Sequence, residues 1–326
     1  MSNFGRRICA LLIFIRECGG DALRYWRHAR IVPNASEAAS PVHLAAHVAR
    51  LSHVIEKGLS MPDFRPRFGG ALLMELQQQL LRLETMGADQ ARREHNYGCS
   101  VIRAYRAKHL ALGCAVDDLL IPEFRVPGEP ELVDPHVKPL RPASAEDSAA
   151  FRRVFLSRYS VRDFQKDREP AREVIARAIG IAIQSPSVCN RQTWRVHSYY
   201  GNHAREVLAE QNGCRGFSQN VPTVLVVTSD LRFFDGINER YQAWIDGGMF
   251  SMSILLALHA EGLGAVALSW GVYGRQDKRL RAVAELPESE RIIMLIACGH
   301  PSNDCVVPLS GRKPVSEILC EHHHAC

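Results

Sequence analysis

The sequence predicts a chain of two unlike parts: a small helical domain, then a part in which strands and helices alternate. Three observations carry this reading. The chain has 326 residues, long enough that two domains are expected rather than one core. Apolar residues recur at helical spacing through the first third. Between the parts, Pro122, Pro127, Pro130, Pro135, Pro139 and Pro142 fall within 21 residues, and neither a helix nor a central strand runs through such a segment. The expected division is a helical domain over 1–120, an extended and fairly stiff linker over 121–147, and a second domain over 148–326.

In the first part, Ser40-Pro41 reads as an N-cap followed by proline in the first turn, with Leu44, Val48, Leu51 and Ile55 on one face behind it. Leu72, Leu73, Leu76, Leu80 and Leu83 make a second helix that Gly87 would stop. Tyr97, Val101, Tyr105 and Leu112 outline a third. Beyond the linker, a helix carries Val174, Ile175, Ala178, Ile179, Ala182 and Ile183, with Pro170 in its first turn. Arg195–Tyr200 reads as a strand ended by Gly201-Asn202, and Thr223–Thr228 as a buried strand. A long helix with Met249, Met252, Ile254, Leu255 and Leu258 stops at Gly262 or Gly264, and Ala265–Leu268 and Ile292–Ala297 are two further strands. An α+β sheet flanked by helices fits this imperfect alternation as well as a parallel α/β fold does.

Composition narrows the function classes. The net charge is +5, and 34 of the 40 basic residues are Arg, a bias that suits phosphate ligands but also fits a coding bias. No dense basic run with interleaved aromatics occurs, so nucleic acid is not an expected partner. The ten Cys form no CxxC pair and no zinc spacing, and no metal site is expected; His43 and His47 lack an evident third ligand. The apolar stretch Ile8–Ile15 is too short to span a bilayer and shows no cleavage-site pattern, so it reads as the start of a helix in a cytoplasmic protein with reduced thiols. An interfacial amphipathic helix is its other reading, because Arg24, Arg27 and Arg30 follow closely.

Four segments carry candidate chemistry. In Arg158-Tyr159-Ser160-Val161-Arg162, alternate side chains share a face if the segment is extended, and two guanidinium groups with a hydroxyl suit a phosphate dianion. Alone, the segment is equally a solvated basic edge. Ser185–Trp194 concentrates small polar groups with a proline and a tryptophan behind a helix, which fits a ring-reading loop or an ordinary helix-ending loop. Ser269-Trp270-Gly271 ends a short strand, where glycine would let a flat ring approach the backbone. Ser310-Gly311-Arg312-Lys313-Pro314 is a second possible phosphate contact.

In order and spacing these segments resemble the nitroreductase-like flavoprotein family: an Arg-x-Ser-x-Arg segment, a helix, a Pro-Ser-x-x-Asn-x-Gln-x-Trp loop and a late Arg. Here the loop is Pro186, Ser187, Asn190, Gln192 and Trp194, with Thr193 where the family usually has proline. Asp246-Gly247-Gly248 at the start of the long helix, and its Gly-Leu-Gly exit, are also similar. The resemblance covers about Ser148 to Leu319. It implies an α+β fold with a central mixed sheet flanked by helices, and FMN as cofactor. Arg158, Ser160, Arg162 and Arg312 would hold the flavin phosphate. Pro186, Ser187, Asn190 and Gln192 form the ring-contacting loop, in this family usually supplied by the partner subunit, and Trp270 and Gly271 lie along the ring edge. It implies a homodimer that takes hydride from NAD(P)H, then reduces a small-molecule acceptor by ping-pong chemistry, with no catalytic side chain named. The alternative is a flavin-binding subunit of low turnover that recruits a biosynthetic partner, because His53-Val54-Ile55-Glu56-Lys57-Gly58-Leu59-Ser60 with Phe68-Gly69 resembles a leader on members linked to surface-polysaccharide synthesis. Read alone, Glu56 and Lys57 end a helix before Gly58.

Overall fold

The computed structural model describes residues 3–29, 40–87, 91–124, 134 and 136–322. Arg30, Pro127, Pro130 and Pro135, named above, lie outside the described residues.

Four helices make the first part: α1 Asn3–His28, α2 Pro41–Leu59, α3 Gly70–Thr85 and α4 Arg92–Ala111. The Ser40 side chain accepts from the His43 N–H, so α2 starts where the Ser-Pro signal puts it. Leu44, Val48, Leu51, Leu76, Leu80 and Val101 interlock in one apolar cluster. Leu112 is the exception: it caps α4 and is exposed. The leader motif has a packing explanation. A Cβ at Gly58 would lie 2.0 Å from the Phe68 ring, so only glycine lets that ring close on α2. Glu56 accepts from the Tyr97 hydroxyl at 2.6 Å and from His136 Nδ1 at 2.8 Å, and His136 Nε2 meets Ser100 Oγ at 2.8 Å. Glu56 thus ties α2 to α4 and to the end of the linker, a role beyond ending a helix.

The second part begins with α5 Ala145–Ser157, capped reciprocally by Ser144 and Asp147, and α6 Arg172–Ala182. Pro170 lies ahead of the Ala171 N-cap rather than inside the first turn. Then follow β1 Trp194–Tyr200, α7 Gly201–Ala209, β2 Thr223–Asp230, α8 Gln242–Ala260, β3 Gly264–Ser269, α9 Gly274–Val283 and β4 Glu290–Gly299. Gly201-Asn202 ends β1 by opening a helix, because Gly201 takes φ +55° and turns the chain directly into α7. The long helix starts at Gln242, so Asp246-Gly247-Gly248 lies inside it rather than at its start.

The sheet order is β1-β2-β4-β3, antiparallel throughout. A parallel bridge from Ser160 to Ala265 adds the mixed character. Side chains of β2 alternate between two cores: Val224 and Val226 face α7 and α9, while Leu225 and Val227 face α6 and α8. Both faces are covered, which is why β2 reads as an unbroken apolar run. By composition Ile237–Ala260 could cross a membrane, yet Phe250, Ile254 and Leu258 pack it into this core.

The two parts touch. Tyr25 and Ala29 of α1 join Leu231, Phe234 and Ala243 in a small apolar cluster, and α2 packs on the turns at 188–190 and 231–233. The Tyr25 hydroxyl donates to Gly236 O at 2.7 Å.

Candidate functional site

The phosphate-type segment leaves α5 in extended backbone at Arg158 and is pinned to β3 by the Ser160–Ala265 bridge and by Val161 N–H donating to Ala265 O at 3.1 Å. Gly264 makes the approach possible, since a Cβ there would lie 2.7 Å from Val161. Arg158 and Arg162 reach no carboxylate within ion-pair distance among the described residues; Arg162 donates to Ser160 O at 3.3 Å. His259 on α8, whose Nε2 meets Ser157 Oγ at 2.8 Å, has its pKa lowered by burial and by the Arg158 charge. This end of the sheet therefore carries uncompensated positive charge. Residues 163–165 then zip to 300–302: Gln165 N–H donates to His300 O, and Ser302 to Asp163. Arg312 lies further along that exposed stretch, with its guanidinium turned on Ser310 O. No hydrogen bond or ion pair among the described residues joins it to Arg158 or Arg162.

The 186–192 loop is built differently. Cys189, Asn190 and Gln192 have φ of 49°, 51° and 50°, a left-handed conformation that costs energy in residues with a Cβ. Interior bonds hold it there. Ser187 Oγ accepts from Gln192 N–H at 3.0 Å, and Asn190 Oδ1 accepts from Gln192 Nε2 at 3.0 Å. Asp246 on α8 accepts from Val188 N–H at 3.0 Å and from Gln242 at 2.7 Å, and burial raises its pKa. Arg191, 1% exposed, donates to Phe233 O at 2.7 Å and pairs with Glu239 at 2.5 Å. Pro186 is exposed at the loop's shoulder.

Within one chain the two halves do not meet. Ser157 contacts α8 at His259, whereas Ser185 and Val188 contact it at Ser253 and Asp246. At the helical rise, six to thirteen residues separate them by roughly 9 to 20 Å along α8.

Trp270 and Gly271 follow the end of β3. Gln211 Nε2 donates to Ser269 O at 2.8 Å, and Trp270 Nε1 donates to Asp277 at 3.1 Å. Asp277 also binds Arg281 and, from the leader, Arg24 at 2.7 Å. Opposing its burial, these cations keep the Asp277 pKa below the usual carboxylate value. Gln211, Asp277, Arg191 and Asp246 thus set the candidate site's geometry, though sequence reasoning gave none of them a role. For Arg191 and Asp246, a charge inside an otherwise apolar or small-residue stretch was a usable signal; for the others, long-range pairing left none.

Elsewhere the histidines are engaged: His43 meets Ser40 and His28 O, and His47 meets Glu75 and Arg50. Among the described residues no group of three or more potential ligands could hold a metal, and the nine cysteines are free thiols.

The fold is an antiparallel sheet covered by helices on both faces, with a helical leader packed against it. Residues 156–212 and 200–300 match the family model described as Nitroreductase family. A Thermus thermophilus NADH dehydrogenase is 26% identical over 195 residues, covering 50% of this chain and 92% of its own. A Methanothermobacter thermautotrophicus protein carrying an NADH dehydrogenase/NAD(P)H nitroreductase assignment is 28% identical over 152 residues, covering 45% of this chain and 75% of its own. A solved Desulfovibrio desulfuricans chain, assigned as a nitroreductase and in complex with FMN, is 23% identical with a TM-score of 0.45, covering 53% of this chain and 96% of its own. Residues 156–300 of this chain are thus similar to the nitroreductase family.

Proposed function

We propose that the protein is an FMN-dependent oxidoreductase that oxidises NAD(P)H and reduces a small-molecule acceptor such as a nitro compound or quinone, as a homodimer. The observation that carries this is the uncompensated pair Arg158 and Arg162, held with Ser160 against β3. Arg158 is half-buried and Arg162 exposed, and neither is spent on a carboxylate among the described residues, so both are open to an anion that the fold does not supply. Their chemistry fits a phosphate dianion, so FMN suits the residues present. Arg158, Ser160 and Arg162 would hold its phosphate, with Arg312 closing over it.

FMN bound there would supply the hydride-transfer chemistry for a ping-pong exchange between NAD(P)H and the acceptor. The chain's own residues bind and orient. Trp270, anchored by Asp277, and Gly271 flank the ring edge, and the Pro186–Gln192 loop presents Ser187, Asn190 and Gln192 to the ring. That loop meets α8 six to thirteen residues away from the contact made beside Arg158, and the family resemblance assigns such a loop to the partner chain, so we assign it to a partner's flavin. Exposed apolar residues on adjoining helices, Phe151 and Phe155 on α5, Ile181 on α6 and Ile245 and Met249 on α8, provide a face for that partner.

An absorption spectrum of the purified protein tests the reading. Flavin bands that bleach on adding NAD(P)H and return with a nitro compound or quinone are expected. A colourless protein that binds no added FMN would refute it.

A further inference from the structure

Helix α1 is amphipathic in the reverse of the usual sense. Ahead of the small apolar contact at Tyr25 and Ala29, its contacts with the body are polar: Glu17 accepts from Gly274 N–H at 2.8 Å, Asp21 pairs with Arg291 at 2.5 Å and Arg24 with Asp277 at 2.7 Å. Its outward face is apolar. Ile8, Leu12 and Ile15, then, past Gly19, Leu23 and Trp26 fall on one side of the helix, and Leu12 and Trp26 are 61% and 64% exposed. The stripe runs about 27 Å at the helical rise. Ahead of Glu17 even Ile13 and Phe14, off the stripe, are exposed, so this half of the helix is apolar nearly all round and is left uncovered among the described residues.

Charge says what covers it. On a helical projection Arg7 falls on one flank of the stripe and Arg16 and Arg27 on the other, all exposed. From Arg7 to Ala29 the only acids are Glu17 and Asp21, and both are paired: Glu17 with Gly274 N–H and the neighbouring Arg16, and the exposed Asp21 with Arg291. An apolar face edged on its two sides by Arg7 and Arg27, with both nearby acids already paired, matches the headgroup boundary of an anionic bilayer. A second copy of the chain would bring the same arginines against each other. Gly19-Gly20 interrupts the helix with nothing packed on either glycine, so the first half costs about 1 kcal/mol per glycine in propensity with no core to offset it. Burial in lipid supplies that missing apolar environment.

We infer that α1 is an in-plane membrane anchor: it lies in the surface of an anionic phospholipid bilayer through Ile8, Leu12, Ile15, Leu23 and Trp26, with Arg7 and Arg27 on lipid phosphates, and holds the oxidoreductase domain against that surface. It does not span the bilayer. The polar face that docks α1 on the body stays docked while the apolar face inserts.

The test is flotation of the full chain with vesicles of phosphatidylcholine alone and of equal parts phosphatidylcholine and phosphatidylglycerol. The full chain floats with the mixed vesicles, far less with phosphatidylcholine alone, and high salt weakens binding. The double variant Leu12→Glu/Ile15→Glu loses on the order of a hundredfold in partitioning. It keeps the solution mass and flavin content of the parent, because neither residue touches the body. The inference fails if the full chain ignores both vesicle types. It fails equally if the double variant changes the solution mass, which would make the stripe a subunit interface. Loss of flavin in that variant would also refute it, since α1 would then belong to the domain core.

Discussion

The segment 158–162 and the loop 186–192 are expected to serve one ligand, yet they are made by opposite means. The loop is saturated. Three residues with a Cβ sit in left-handed backbone, and Ser187, Asp246 and the buried Arg191–Glu239 pair hold them there. The segment at 158–162 is lightly fixed, by one bridge to β3, and its guanidinium groups find no carboxylate. One region spends its polar groups on its own shape; the other keeps them for something outside the chain. In a flavin site this division is reasonable. The groups that read a flat ring must be positioned in advance, whereas a phosphate is captured by charge and tolerates a softer cradle.

Breaking the loop should therefore show in stability, and breaking the segment should show in binding. The largest expected effect is at Arg191. Arg191→Ala strips Glu239 of its cation, leaving it only the Asp235 N–H, and leaves Phe233 O without its donor, which costs about 3–5 kcal/mol for a broken buried pair. Urea unfolding should show it as a lower midpoint, and an unchanged midpoint would mean that the loop is not held from inside. Next are Arg158→Ala and Arg312→Ala. Each should lower flavin affinity by about 1.5–3 kcal/mol, on the order of tenfold to a hundredfold, with the unfolding midpoint almost unmoved. Flavin retained through desalting is the readout, and a variant that loses stability instead would blur the distinction between the regions.

A third prediction concerns the leader, which abuts the loop. Burial would raise the Glu56 pKa, but His136, His53 and Tyr97 outweigh it and hold the carboxylate at about 2 against 4.5 unperturbed. A depressed folded value stabilises the protein above the unfolded pKa, and this contribution is lost as pH falls from about 4.5 toward 2. It amounts to about 3 kcal/mol at most. Glu56→Gln should flatten the acid limb of the stability curve in that window; an unchanged limb would show that the carboxylate is not linked to folding. The smallest effect belongs to the surface. Arg177→Ala removes an exposed pair with Glu261 and should change stability by under about 0.5 kcal/mol.

Much of this fold was legible because local chemistry decided it. The Ser40-Pro41 start of α2, the Leu stripe of α3 and the apolar runs of β2 and β4 each follow from a cap or a period that packing does not override. The sequence misled where tertiary contact decided instead. Asp246 looked like a helix start but is a buried side chain that reaches back to Val188, four residues into α8. Gly201-Asn202 looked like a turn but launches α7. For the site, the residue types at 158–162 and 186–192 were legible, while their separation along α8 was not, because no spacing in the sequence encodes which end of a helix a loop will find. The same holds for α1: its apolar stretch was plain, but that it would face outward depends on Arg291 and Asp277, far along the chain.

The central claim is that one flavin needs Arg158 of one chain and the 186–192 loop of another, and mixed dimers test it most directly. Arg158→Ala disables the phosphate end, and Asn190→Gly removes a ring contact while accommodating the positive φ. Each homodimer would carry two damaged sites. If the site is shared between chains, the mixed dimer has one doubly damaged site and one wholly intact site. It should hold one flavin per dimer at native affinity, at a concentration where neither homodimer retains any. If each chain builds its own site, both sites of the mixed dimer are damaged, and a flavin-free mixed dimer would contradict the account.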